Sequence, residues 1–138
     1  MVTMTRVAPK MALTEWSVWY GPLQALKSVT LEIRPRQILG VIGPANSGKT
    51  SFLRSLNRMN EINPAFRYRG SVMLDGRDVY RELDSQDVRR QIGIVFALPL
   101  PLPLSIRDNV TYGPRLRGQR NRQQLEGLTQ RSLRAASL

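Results

Sequence analysis

The sequence predicts an α/β fold built around a strand, a glycine-rich loop and a helix. Three observations carry that expectation. Residues 38–42 form a short, nearly unbroken apolar run, the pattern of a strand buried on both faces of a sheet. Residues 43–50 (GPANSGKT) follow directly and are dense in small residues. Phe52, Leu53, Leu56 and Met59 then fall at i, i+1, i+4 and i+7, one face of a 3.6-residue period.

The other elements follow in order. Residues 1–10 read as a loose start, and residues 11–20 gather Trp16, Val18, Trp19 and Tyr20 before a turn at Gly21-Pro22. Residues 25–33 alternate Leu26, Val29, Leu31 and Ile33 with Lys27, Thr30 and Glu32, which predicts a second strand. Within residues 70–80, Asp75-Gly76 separates two strand-like runs, the local signal of a hairpin. A short helix starts at Asp84 or Ser85, whose oxygens can cap it, and Gly93 lies past its end. Residues 94–96 predict another strand, and residues 98–104 alternate Leu and Pro as a rigid extended connector. From Gln119 the tail reads as a helix with Leu125, Leu128 and Ser132 on one face. No internal repeat is present.

Composition limits the chemistry. The 138 residues amount to one domain, and 41% hydrophobic content is enough for a core. Without Cys, disulfides, thiolate metal sites and cysteine nucleophiles are excluded. Without His, imidazole acid–base catalysis and the commonest zinc sites are excluded as well. Lys and Arg number 21 against 10 Asp and Glu, a net charge of +11 that suits an anionic partner. The longest apolar stretch, residues 92–106, is interrupted by Pro99, Pro101 and Pro103 and is too short to cross a bilayer. The N-terminus lacks the pattern of a secretory signal, so the expected compartment is cytosolic.

Residues 43–50 satisfy G-x-x-x-x-G-K-[ST] between a predicted strand and a predicted helix. Such a loop wraps backbone N–H groups around phosphate oxygens, so its residues must be small or tolerate unusual dihedrals. The helix N-terminus adds free N–H groups and the positive end of its dipole. Gly43, Pro44, Ala45, Asn46, Ser47 and Gly48 then form the cradle. Lys49 reaches the β- and γ-phosphates, the Thr50 hydroxyl ligates Mg²⁺, and Ser51 offers a further hydroxyl.

The text around the loop resembles the ATP-binding subunits of ABC transporters, in particular their phosphate-import branch. The resembling runs are ALKSV at 25–29, SFLRSLNRMN at 51–60, GSVMLDG at 70–76 and SIRDNVTYGPRL at 105–116. LNRMN and DNV…YGPRL point to the phosphate branch, and the likeness extends from about Met11 to the end of the chain. The resemblance implies an ABC-type P-loop NTPase fold: a core sheet with the loop and its helix, an antiparallel β subdomain and a helical subdomain. Residues 11–96 would form the core and β subdomain, 97–113 a connector and 114–138 the start of the helical subdomain. It implies ATP and Mg²⁺ as cofactors and Tyr20 as the aromatic that stacks on adenine, the alternative for Tyr20 being an edge aromatic packed on the core. Trp16 and Trp19 are assigned to packing. The implied partners are a second ATP-binding subunit and the transmembrane permease subunits of a phosphate importer. The location is then the cytoplasmic face of the plasma membrane, with no direct site for the phosphate solute.

Three departures from the family pattern qualify that expectation. Asn46 stands where the family has Gly, and Asn is one of the few residues that visit positive φ. Ala97 stands where the family has a Gln that touches Mg²⁺ or the attacking water, and a methyl group does neither. Family members are longer, and this sequence stops before the Leu-Ser-Gly-Gly-Gln motif, the strand with the metal-binding Asp and catalytic Glu, and the switch His. The leading expectation is the ATP-binding subunit of a phosphate importer that holds Mg·ATP through residues 43–51, with no catalytic residue within this sequence; the alternative is a nucleotide-binding fragment that does not hydrolyse. Seven arginines between residues 107 and 134 face only Asp108 and Glu126. They read as a solvated helical face rather than as a nucleic-acid surface, so no nucleic-acid partner is expected.

Overall fold

In the computed structural model, which describes residues 8–98 and 100–137, the chain divides into two units that meet between Ile94 and Val95. Strands β1 (Met11–Tyr20) and β2 (Leu23–Ile33) form an antiparallel hairpin closed at Gly21-Pro22. Strand β3 (Phe66–Leu74) lies on the other side of β1 and pairs with the short β4 (Arg77–Asp78), giving the order β2-β1-β3-β4. The turn between β3 and β4 is Asp75-Gly76, with φ of 49° and 79°. Positive φ at both central residues is the type I′ geometry that Asp-Gly favours, so this hairpin follows from its two turn residues.

The sheet is not a simple alternation. In β1, register shifts against β3 between Thr14 and Ser17, and Glu15 has φ 47°. Gly70 sits opposite this bulge with φ 94°, and a Cβ there would lie 2.5 Å from the Thr14 carbonyl oxygen. Only glycine fits so close a backbone approach. The bulge turns Trp16, Ser17 and Val18 all out of water. Trp16 is fully buried, with Tyr68 stacked at 4.9 Å and Tyr80 tilted at 4.8 Å between ring centroids. Leu13, Val18, Val72, Val79 and Val88 complete the core, and Trp19 is half-buried.

Helix α1 (Lys49–Leu56) covers this core with Phe52 and Ser55. It is shorter than its apolar periodicity predicts: Asn57 ends it, and Met59 falls in a 3₁₀ turn (Met59–Ile62). The side chains after the helix favour local bonds over further helix. Asn57 Oδ1 accepts from the Met59 N–H, and Arg58 (φ 61°) grips both carboxylate oxygens of Glu61 at 2.9 and 2.7 Å. Its guanidinium also donates to the carbonyls of Val79 and Leu83. Helix α2 (Ser85–Gln91) starts as expected at Asp84, whose carboxylate accepts from the Gln86 N–H at 2.8 Å.

Two expected strands are absent. Residues 38–42 and 94–96 form no strand, and Ile38, Ile42 and Val95 are 99, 95 and 98% exposed. A strand buried on both faces needs a hydrogen-bonded neighbour on each side, and no described strand pairs with residues 38–42.

The second unit holds a helix that the sequence reading missed. Helix α3 (Ile106–Leu116) follows the Leu-Pro run, and Ser105 caps it. The Ser105 Oγ accepts from the Asp108 N–H and donates to the Asp108 carboxylate at 2.6 Å. That hydrogen bond, with Arg115 beside it, holds the Asp108 carboxyl below its ordinary pKa. The Asn109 side chain bonds the backbone of Leu102, Leu104 and Ser105, which fixes the connector to the helix. Helix α4 (Arg122–Ala135) packs on α3 through Leu125 and Thr129, with Arg107 and Glu126 paired at 3.0 Å. Residues 1–7, Pro99 and Leu138, which belong to the predicted loose start, connector and tail, lie outside the described residues.

Candidate functional site

The loop between β2 and α1 is placed by a close backbone approach. Gly48 immediately precedes α1 with φ 90°, and a Cβ there would lie 2.5 Å from the Ala25 carbonyl oxygen and 2.9 Å from Leu26 Cδ2. Glycine therefore lets the helix start rest directly on the first residues of β2. Those residues are paired with the end of β1, with Tyr20 opposite Leu23. The consequence is a groove of about 520 Å³ that has Tyr20 on one side and Asn46, Ser47, Gly48, Lys49, Thr50 and Ser51 on the other. Leu23, Gln24 and Ala25 also line it, and of these only Ala25 falls in a run that the sequence singles out.

Of the remaining loop residues, Gly43 and Pro44 line a neighbouring apolar cleft with Ser47, Gly48 and Lys49, and Ala45 is exposed at the loop tip. Asn46 has φ 62°, the conformation a glycine would supply. Lys49 folds over the loop: its ammonium donates to the carbonyls of Gly43 at 2.8 Å and Pro44 at 2.5 Å. A cation is thus held at the centre of the loop, while the Thr50 hydroxyl stays exposed. The first turn of α1 carries no acidic residue and no side-chain cap, so its N–H groups face no competing carboxylate. Among the described residues no acidic side chain lines the groove. Positive charge, free donors and a positive dipole end therefore converge on one cavity, an arrangement that fits a phosphate chain.

The helix that carries these groups is tied to the sheet by polar bonds inside the core. Trp16 Nε1 donates to Ser55 Oγ at 2.9 Å, and Ser55 Oγ donates to the Ser51 carbonyl at 2.7 Å. The Tyr80 hydroxyl donates to the Ser55 carbonyl at 2.9 Å, and burial pushes its pKa far above the ordinary tyrosine value, so it remains a donor. Asn60 joins the same network and receives the Tyr20 hydroxyl at 2.6 Å. Among the described residues no buried side-chain polar atom lacks a partner. In the sequence, Asn57, Arg58 and Asn60 of LNRMN stood out only as marks of resemblance. In the structure Asn57 shapes the helix end, Arg58 anchors the segment and Asn60 bonds both α1 and Tyr20.

Outside this site, Ala97 is exposed in a bend of the second unit. Arg107, Arg115, Arg120 and Arg122 line a cavity of about 490 Å³ in that unit, with Arg107 and Arg115 paired to Glu126 and Asp108. Among the described residues no cluster of three acidic, His or Cys side chains could hold a metal, and no helix is long and apolar enough to cross a membrane.

The sequence profile of the ABC transporter family matches residues 26–137. The phosphate import ATP-binding protein PstB of Mycolicibacterium smegmatis is 44% identical over 134 residues, which is 96% of this chain and 52% of the relative. The chain therefore spans about half the length of that curated relative. A bacterial Atm1-family ABC exporter, solved with ATP bound, superposes with a TM-score of 0.65 over 81% of this chain and 18% of that one. At 21% identity that likeness concerns the fold alone.

Proposed function

Since the chain belongs to the ABC transporter family, we propose that it forms the ATP-binding portion of a phosphate-importer ATPase subunit, with Mg·ATP held in the groove beside Tyr20. The observation that carries this reading is the groove itself, which sets a half-exposed aromatic against a loop of free donors and a lysine. Residues 43–51 would hold the triphosphate, and the Tyr20 ring would stack on adenine, a flat partner for its π-face. Lys49 would exchange its bonds to the Gly43 and Pro44 carbonyls for phosphate oxygens, a stronger charge-assisted pairing. The Thr50 hydroxyl would contribute to Mg²⁺, which when bound neutralises phosphate charge. Residues 11–96 would serve as nucleotide-binding core and β subdomain, 97–113 as connector and 114–138 as the start of the helical subdomain.

Phosphate as transported solute is supported by the identity with PstB. The partners on this reading are a second ATP-binding subunit and the permease subunits at the cytoplasmic face of the plasma membrane. A second reading, nucleotide binding without hydrolysis, is favoured by one specific feature: the groove offers no carboxylate to activate water.

Calorimetry with Mg·ATP tests the site. The chain is expected to bind, and Lys49→Ala is expected to weaken binding by about 10- to 100-fold, on the order of one charge-assisted hydrogen bond. Equal affinity in the variant would remove the loop from the site. A steady-state assay separates the two readings: turnover that disappears with Lys49→Ala would overturn binding without hydrolysis.

A further inference from the structure

Tyr20 and the phosphate loop come from distant parts of the chain, and one buried side chain connects them. Asn60 is 2% exposed in the 3₁₀ turn after α1. Its Nδ2 donates to the Ser51 carbonyl at 3.0 Å and to Ser55 Oγ at 2.9 Å. Its Oδ1 accepts from the Tyr20 hydroxyl at 2.6 Å. The orientation of this amide is determined by its partners. The Ser51 carbonyl can only accept, so the nitrogen must face α1 and the oxygen must face Tyr20. A flipped amide would set oxygen against oxygen at Ser51.

Ser51 is the last loop residue lining the groove, and Tyr20 is its aromatic wall. Asn60 therefore bonds one residue from each side of the same cavity. Besides this bond Tyr20 packs at the edge of the core, with Phe66 tilted against it at 6.2 Å between centroids, and the ring is half-buried. Without the hydroxyl bond the ring could turn about its side-chain torsions and lose its setting relative to the loop.

We propose that Asn60 is a positioning residue for nucleotide recognition, holding the Tyr20 ring through its hydroxyl at a fixed setting from the phosphate loop. This rests on reading the groove as a nucleotide site. Asn60 touches neither base nor phosphate. It removes in advance the disorder that the ring would otherwise lose when a base stacks on it. Its effect should fall on ligands that carry a base and spare ligands that are phosphate alone.

The test compares Mg·ATP with Mg·tripolyphosphate by calorimetry on the full chain. Tyr20→Phe keeps the ring and deletes only the hydroxyl, leaving the two donor bonds of Asn60 to α1 in place. It should weaken ATP by about two- to tenfold, the range expected for freeing one ordered side chain. Tripolyphosphate affinity should stay within about twofold of the parent on the same argument. Asn60→Ala should lower the preference for ATP to the same degree, and the double variant should show no further loss of that preference. The proposal is overturned if Tyr20→Phe retains the full preference, or if Asn60→Ala weakens both ligands equally while Tyr20→Phe does nothing. It is also overturned if the parent chain binds the two ligands alike. A parent that binds neither would instead remove the nucleotide site itself.

Discussion

Residues 11–33 and residues 38–42 are both strand-like in sequence, yet only the first becomes a strand pair. The β1–β2 hairpin closes through Gly21-Pro22, so each strand finds its partner within a few residues. The run at 38–42 has the composition of an inner strand, but Ile38 and Ile42 stand almost wholly in water. Antiparallel neighbours can be joined by a tight turn, whereas parallel neighbours must come from across a long connection. Apolar composition thus marks a segment as able to be buried, and local topology decides whether it is. The phosphate loop begins at the end of the unpaired run and ends against the paired region. Its order therefore comes from the β2 side, through Gly48.

That comparison predicts unequal sensitivity to substitution. Trp16 belongs to the paired region, where it is fully buried, contacts Tyr68 and Tyr80, and bonds Ser55. Trp16→Ala is expected to cost about 3–5 kcal/mol, the usual range for a large aromatic removed from a core. Urea unfolding followed by far-UV circular dichroism measures it. A loss below about 1 kcal/mol, the size of an ordinary surface change, would mean that stability does not reside in the sheet and α1.

An intermediate effect is expected where the loop meets the sheet. Gly48→Ala brings a Cβ within 2.5 Å of the Ala25 carbonyl oxygen at a φ of 90°. The strain should cost about 1–3 kcal/mol and push the start of α1 away from β2. Thermal unfolding gives the first quantity, and the loss of Mg·ATP affinity reports the second. A variant as stable as the parent would show that the loop does not depend on this contact.

Much of this was legible in the sequence, for identifiable reasons. The Asp75-Gly76 hairpin, the Asp84 cap and the α4 face at Leu125 each depend on residues within a few positions of one another. The loop motif was equally plain, because four fixed residues fall within eight consecutive positions. Helix α3 was missed although Ser105 and Asp108 form a capping pair, since the preceding Leu-Pro run and Pro114 mask the helical signal. The burial of Trp16 depends on a bulge facing Gly70, and the grip on Tyr20 depends on Asn60, forty residues away. Neither relation leaves a periodic trace. Strands 38–42 and 94–96 were expected from composition alone, which carries no information about partners.

The smallest effect should come from the unpaired run itself. Ile38 is 99% exposed, so its side chain meets water in both the folded and the unfolded chain. Ile38→Ser should therefore change stability by less than about 0.5 kcal/mol, as surface substitutions usually do. The same exposure makes the run a template for unwanted association, and the variant should scatter less light at equal concentration. A loss of stability comparable to that of Trp16→Ala would show Ile38 buried in solution. The contrast between paired and unpaired strands would then fail at its sharpest point, because the run would have found a partner that the described residues do not supply.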